Sequence, residues 1–474
     1  ECSTNKQDCG ICCECNQFGI ENYDPTQDSD CDPYDLPEIA TCYNLIGNIW
    51  FEKGELDKAL EYHTKSLALF EEIEDIHETA MSIHNIGNDY RHKGDADKAI
   101  SYYERSLKLL EEIGNTFDIS ITLHNLIESS IRWKSVEAAQ PYLQKLQEIS
   151  EKEKDNKAIN LIYRVSKAVI LRKSDRVVTR AEAQQIFQQI AEEETVIHEH
   201  KYGAMLNLCE MLIEELRSSG DEEILDEINA VSKNMLAVAE DQNSFTKLVE
   251  TYLIQSKMAL IELNVDLSKQ ILGKAQQIAE EKGLQKHAIM ISGEYDALLS
   301  QLSQWNELID RNVSLIERLE MVELESMVSR MVRKKEEAPE IPEEEPTLFL
   351  ILSKSGAIQF SKQFLTEKTL DDQVVSDLLT AINSFIQETF AATGSIERVK
   401  HKDHTLVMKP LAESLFCCYA FKGQSYAALH KLEKFIDTAK SKDTLWNVIT
   451  SGQPLTEEKA VDELITEVFL TPFS

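Results

Sequence analysis

No stretch of the chain approaches the ~18 to 20 consecutive apolar residues a membrane-spanning helix needs, and the first residues lack the charged-then-apolar order of a secretory leader. Positive charge is short as well: 49 Lys and Arg stand against 83 Asp and Glu, a formal charge of −34. Nucleic acid and anionic membranes bind by releasing counterions to a basic face, so they are excluded as general partners, while a local basic patch is not. The motifs of common chemistries are missing too. There is no Gly-rich loop ending in Lys-Ser/Thr, no His-Glu-x-x-His, no Gly-x-Ser-x-Gly and no dinucleotide fingerprint. His198-Glu199-His200 puts its two imidazoles on different faces of a helix, and Asp95 and Asp97 lack the spacing of a calcium loop. The expectation is a non-enzyme that works in the cytoplasm. The chain begins at Glu1 rather than Met, which reads as a fragment or a processed product.

What is present is repetition. The 474 residues, 42% hydrophobic and 28% charged, are enough for two to four folded domains. "CYNLIGNIWFEKGELDKALEYHTKSL" (42–67) recurs forty residues on as "SIHNIGNDYRHKGDADKAISYYERSL", with Gly47/Gly87, Gly54/Gly94, Asp57/Asp97, Ala59/Ala99, Tyr62/Tyr102 and Ser66/Ser106 in register. A third copy, "SITLHNLIESSIRWKSVEAAQPYLQKL", keeps Asn125, Ala139 and Tyr142 but has Ile127 and Lys134 where the others have glycine. Apolar residues recur at helical spacing on both sides of Gly54, so each copy reads as two antiparallel helices that need a neighbour to bury their faces. Small residues at Gly47, Ala59 and Ser66 mark the close crossing, and the loss of glycine in the third copy puts its crossing in doubt.

These residues resemble a tetratricopeptide repeat in the forty-residue form of kinesin light chains. The resemblance implies a curved stack whose first helices line a concave groove. Its groove positions are Thr41, Asn44, Asn48, Phe51 and Glu52 in copy one; Met81, His84, Asn88, Arg91 and His92 in copy two; and Ile121, His124, Glu128 and Arg132 in copy three. Asn48 and Asn88 are equivalent, and a ladder of amides can pair with an extended peptide backbone or, more plainly, with a neighbouring helix. Arg91, His92 and Arg132 would lend the groove positive charge, which suggests an acidic or carboxylate-bearing peptide.

The three repeats are assigned to 37–155 and divergent helical repeats to 156–303, the latter marked by Ser256, Ser268 and Ala275 at small-residue positions. Residues 304–335 carry Leu308, Leu315, Leu319 and Val322 on one face with no Gly or Pro and read as one long amphipathic helix. Its Met321, Met327 and Met331 would offer a soft surface to a partner helix or pack on their own domain. "EEAPEIPEEEP" (336–346) reads as an acidic, Pro-rich linker. From 347 to 474 the period changes to that of strands: "LFLILSK" and "AIQFSKQF" about Ser355-Gly356, a helix in "DQVVSDLLTAINSFIQETF", then "SIERVKHKD", "HTLVMKP" and "SLFCCYAFKG", and a helix in "QSYAALHKLEKFIDTAK". That order predicts an α+β domain with an antiparallel five-stranded sheet behind an all-α solenoid. The succession is similar to the roadblock/longin group of profilin-like domains found in some archaeal proteins. The resemblance implies a platform for dimerisation or for docking a Ras-like small GTPase. Cys417 and Cys418, adjacent in a strand, should face opposite sides of the sheet.

Residues 1–36 hold six cysteines. Cys9, Cys12, Cys15 and Cys31 have thiolate spacings that could complete a zinc knuckle, but a second separated Cys-x-x-Cys pair is missing. A zinc or iron–sulfur site, a disulfide cluster and a disordered or non-native tail all stay open. The leading expectation is an adaptor that holds a peptide or protein in its groove and needs no cofactor. The alternative is a metal- or redox-linked sensor in which the cysteine cluster is the active element.

Overall fold

The computed structural model describes residues 36–194, 197–311, 313–332, 344–353, 357–364, 397–401, 404–412, 415–450 and 458–470. The cysteine cluster with Cys9, Cys12, Cys15 and Cys31, the Ser355-Gly356 turn, most of the acidic linker and the helix expected at 372–390 lie outside the described residues. The chain forms two units, one from 1–286 with 313–337 and one from 287–312 with 338–474.

In the first unit helices alternate as antiparallel pairs: α1 (Leu36–Glu52) with α2 (Leu56–Glu72), α3 (Ile76–Lys93) with α4 (Ala96–Ile113), α5 (Thr116–Trp133) with α6 (Val136–Lys152), α7 (Lys157–Arg172) with α8 (Val177–Glu192), α9 (His198–Ser219) with α10 (Glu223–Asp241), and α11 (Phe245–Ile261) with α12 (Val265–Glu281). Local chemistry sets these bounds. Asp75, Asp95, Asn115 and Ser135 accept from the backbone N–H three residues on, which satisfies a donor left over at each helix start. Gly94 and Gly114 close α3 and α4 at φ 80° and 73°, a left-handed geometry open to glycine at little cost.

The repeated residues have defined work in the crossing. A Cβ at Gly47 would lie 2.4 Å from His63 Cδ2, and one at Gly87 would lie 2.8 Å from Tyr103 Cδ1, so each glycine makes room for a buried ring on the second helix. Ser66 Oγ donates to the Ala40 carbonyl and Ser106 Oγ to that of Ala80, each at 2.8 Å, which lets a hydroxyl be fully buried at the same place twice. The third crossing survives the loss of glycine: Ile127 is fully buried in α5, α5 and α6 pack together, and the position equivalent to His63 and Tyr103 holds the aliphatic Leu143. A larger residue on one helix faces a smaller one on the other.

The segment read as one long helix is three: α14 (Leu302–Arg311), α15 (Leu315–Val322) and α16 (Leu324–Val332). Ser314 and Glu317 form a capping box that starts α15, and Glu323, left-handed at φ 53°, separates α15 from α16. α15 and α16 return to the first unit, whereas 287–312, with α14 and nearly all of α13 (Gln285–Ser300), belong to the second. The helical array therefore ends earlier than 303.

The second unit is built on an antiparallel sheet of β1 (Glu345–Ser353), β2 (Ile358–Gln363), β3 (Glu397–His401), β4 (His404–Ala412) and β5 (Leu415–Lys422), in the order β2-β1-β5-β4-β3. The acidic linker ends sooner than 346, because Glu344 is buried and paired with Lys431 while Glu345 opens β1. One face of the sheet, with Phe349, Ile351, Cys417, Tyr419 and Phe421, packs on α17 (Ser425–Ser441) and α19 (Glu458–Phe469), with α18 (Asp443–Thr450) between them. Cys418 lies on the opposite face with Leu348, Leu350 and Leu406. α13 is fastened within this unit. Asp296 accepts from the Ser425 N–H at 2.8 Å and from its hydroxyl at 2.7 Å at the start of α17, and buried Arg398 donates to Ser292 and Ser425.

Candidate functional site: the inner wall of the repeats

The odd-numbered helices α1 to α11 form the inner side of the array. On the outside of a curve, non-adjacent repeats diverge, and only on the inside do they meet. The ring centroids of His124 on α5 and His200 on α9 are 4.8 Å apart, although the α7–α8 pair intervenes in sequence. Glu52, at the end of α1, lies 3.4 Å from Thr246 on α11, and the Gly54 carbonyl receives Lys286 Nζ, so the array has turned back toward its first pair. The even helices are tied outside by pairs between successive repeats, such as Arg105–Glu71 and Tyr142–Glu104.

The residues expected to line a groove have the following surroundings. In copy one Thr41, Asn48 and Glu52 are exposed, and Asn44 and Phe51 are half-buried. Asn44 accepts from Asn85 of α3 at 2.8 Å; His63 bridges Asn48 at 3.2 Å and buried Asp89 at 2.7 Å; Phe51 meets the His92 ring edge-on at 4.6 Å. Asn88 is half-buried and accepts from the Tyr103 hydroxyl at 2.7 Å. Both amides thus hold helices together through their oxygens.

Deeper in the array the wall is a polar seam. Arg91 is buried and donates to Glu128 at 2.8 Å, with Asn125 Oδ1 at 3.5 Å. Buried His84 receives Asn125 Nδ2 on Nε2 at 3.1 Å, which leaves Nδ1–H to donate to Thr122 at 3.0 Å. His124, also buried, reaches Ser166 on α7 at 2.9 Å. Burial works against the Arg91 charge, but Tyr103, Glu128 and Glu199 together outweigh it and raise its pKa. Arg132 stacks on Trp133 at 4.5 Å. The expected positive groove is corrected at Arg91, whose charge is neutralised within the wall.

Burial, helped by Arg91, lowers the His84 pKa to about 4, so its imidazole is neutral near pH 7. In the unfolded chain a histidine takes its proton near pH 6.5. Between those values the unfolded state binds the extra proton, so this group's contribution is complete above pH 6.5 and falls as pH drops toward 4, by up to about 3 kcal/mol. His84→Gln should shrink the difference between the urea midpoints at pH 7 and pH 4.5; an unchanged difference would place the titration elsewhere.

A second stretch of wall is occupied by the chain itself, the second of the two roles expected for Met321, Met327 and Met331. α16 packs along α9 and touches α11, and α15 packs on the end of α11. Every residue from 204 to 213 of α9 is buried in consequence, an all-round burial that an open wall would not show. Within this contact Glu210 pairs with Arg172 of α7 and receives the Ser329 hydroxyl, and Arg172 also donates to Asn207 at 2.5 Å. Met327 is buried there, while Met321 and Met331 are half-buried.

Among the described residues no group of three or more His, Cys, Asp or Glu is placed to hold a metal ion, and no helix is long and apolar enough to cross a membrane. The described cysteines Cys42, Cys209, Cys417 and Cys418 are buried, and burial pushes the Cys209 and Cys418 thiols up to about 12.

Residues 38–112, which span the first two helix pairs, match the tetratricopeptide repeat family. No curated protein matches the chain. Among solved structures, a Rap protein complexed with competence and sporulation factor is 14% identical, with 63% of this chain and 78% of that one covered at a TM-score of 0.39. A peptide complex of the Rap conjugation gene regulator of the plasmid pLS20 is 14% identical, covering 69% and 84% at 0.41. A circular tandem repeat protein with novel repeat topology is 13% identical, covering 63% and 85% at 0.25. None of the three superposes closely.

Proposed function

We propose that the chain is a protein-interaction scaffold whose first repeats hold a polypeptide segment against the inner wall of α1, α3 and α5. The observation that carries this reading is the contrast along one wall. On α1 the inward positions Thr41, Asn48 and Glu52 stay exposed, whereas the equivalent face of α9 is filled by α16. Asn48 and Asn88 each use the side-chain oxygen on a neighbouring helix, so it is their amide N–H groups that offer the partner's carbonyls a pair of donors. Phe51 and His92 supply an adjacent aromatic surface. With Arg91 committed to Glu128, the wall favours a backbone-reading contact over a strongly acidic ligand.

Peptides selected from a displayed library on the full chain provide the test. Asn48→Ala with Asn88→Ala should lower their affinity about tenfold or more, as expected for contacts of ~1 to 3 kcal/mol, with helical content unchanged. Unchanged affinity would clear both residues of the role. For the second unit we carry forward the reading that its sheet domain serves self-association or small-GTPase docking, supported by the order of its elements. The metal- or redox-sensor alternative rests on cysteines outside the described residues.

A further inference from the structure

α15 and α16 are not a repeat pair. The chain leaves the first unit after 286, returns at 313 and departs again after 337, and of the two helices it brings back the second, α16, is a nine-residue helix laid on α9 and α11. We propose that this stretch of wall is a binding groove for an amphipathic helix, that α16 is its resident occupant, and that its partner is a protein helix of the same pattern, able to take the place of α16. The inference concerns a different section of wall from the α1–α5 surface and stands without it.

The groove reads its occupant at defined points. Leu324, Met327 and Val328 are buried, which is the first, fourth and fifth position of one helical face. Ser329 follows and donates to Glu210, whose carboxylate is almost fully buried and held by Arg172. An aliphatic side chain at that position would leave a carboxylate oxygen without this donor, so the site discriminates in favour of a small hydroxyl. Glu325 meets Arg217 at 2.7 Å, two turns along α9 from Glu210, which sets the occupant antiparallel to α9. The preferred helix is therefore apolar-acidic-x-apolar-apolar-Ser/Thr.

The resident is suited to exchange. A helix of nine residues gains little from propensity and depends on the wall for its order. Its link to α15 passes through Glu323 at φ 53°, a conformation that costs free energy in any residue but glycine and is relieved if α16 leaves. Competition between an intramolecular and an incoming helix lowers the apparent affinity of the latter by the fraction of grooves that stand open.

A labelled peptide of residues 322–334, added to the full chain, is the probe. It should bind the wild type weakly and bind a Met327→Ala, Val328→Ala chain at least about tenfold tighter, because that variant loosens the resident without touching α9 or α11. The same peptide with Ser329→Val should lose about tenfold on that variant. Equal affinity for both chains, or no binding to the folded variant, would overturn the proposal. So would a doubling of mass on loosening α16, which would identify the occupant as a second copy of this chain. If the variant does not fold, hydrogen exchange on the wild type decides: α16 amides should exchange faster than those of α9 and α11, and peptide should speed them further. Exchange of α16 no faster than its wall would make it ordinary core.

Discussion

Arg172→Met should destabilise the first unit by about 3 to 5 kcal/mol. Arg172 and Glu210 are 8% and 3% exposed in their side chains, and removing the guanidinium leaves a carboxylate buried with only the Ser329 hydroxyl to answer it. The cost is that of an uncompensated charge, not the net worth of the pair. Arg172→Met with Glu210→Met should therefore be much less destabilised than Arg172→Met alone, since exchanging a whole buried pair for apolar groups is often close to neutral. Urea unfolding of the two variants checks this. Equal losses would mean that the carboxylate finds water once its partner is gone, and that this part of the wall is open.

Gly87→Ile should cost about 3 kcal/mol or more, because even the first carbon of the new side chain would stand 2.8 Å from the Tyr103 ring. That ring cannot simply swing aside, since its hydroxyl is bound to Asn88 and it packs against the tilted His84 ring at 5.3 Å. Adding Tyr103→Leu should recover about 1 kcal/mol or more despite the lost aromatic, as the third repeat already combines Ile127 with Leu143 at these places. Thermal unfolding of the single and double variants gives the coupling, and simple additivity would deny that the glycine and the ring are one steric unit.

These two predictions also show what the sequence could reveal. The repeat of Gly47 and Gly87, with Ser66 and Ser106, was legible because each pair performs a local task within one helical hairpin, repeated at constant spacing. For the residues expected in the groove, the partners were not legible. Arg91 looked like a free cation because its neutraliser, Glu128, comes from the next repeat, and no single-chain pattern announces that register. The division at 286 and 312 was hidden for the same reason, since α13 is amphipathic whether it packs on a helix pair or on a sheet domain. The sequence does mark two further elements: Ser314 with Glu317 signals a helix start, and Val461, Leu464, Ile465, Val468 and Phe469 recur at the spacing of the buried helix α19.

Hydrogen exchange on the full chain, with and without a library-selected peptide, tests the central claim most directly. The account predicts new protection in α1, α3 and α5, the three helices whose inner faces carry Asn48, Asn88 and Glu128, with their outer partners α2, α4 and α6 little changed. Protection confined to those outer helices, or to the sheet unit alone, would contradict it.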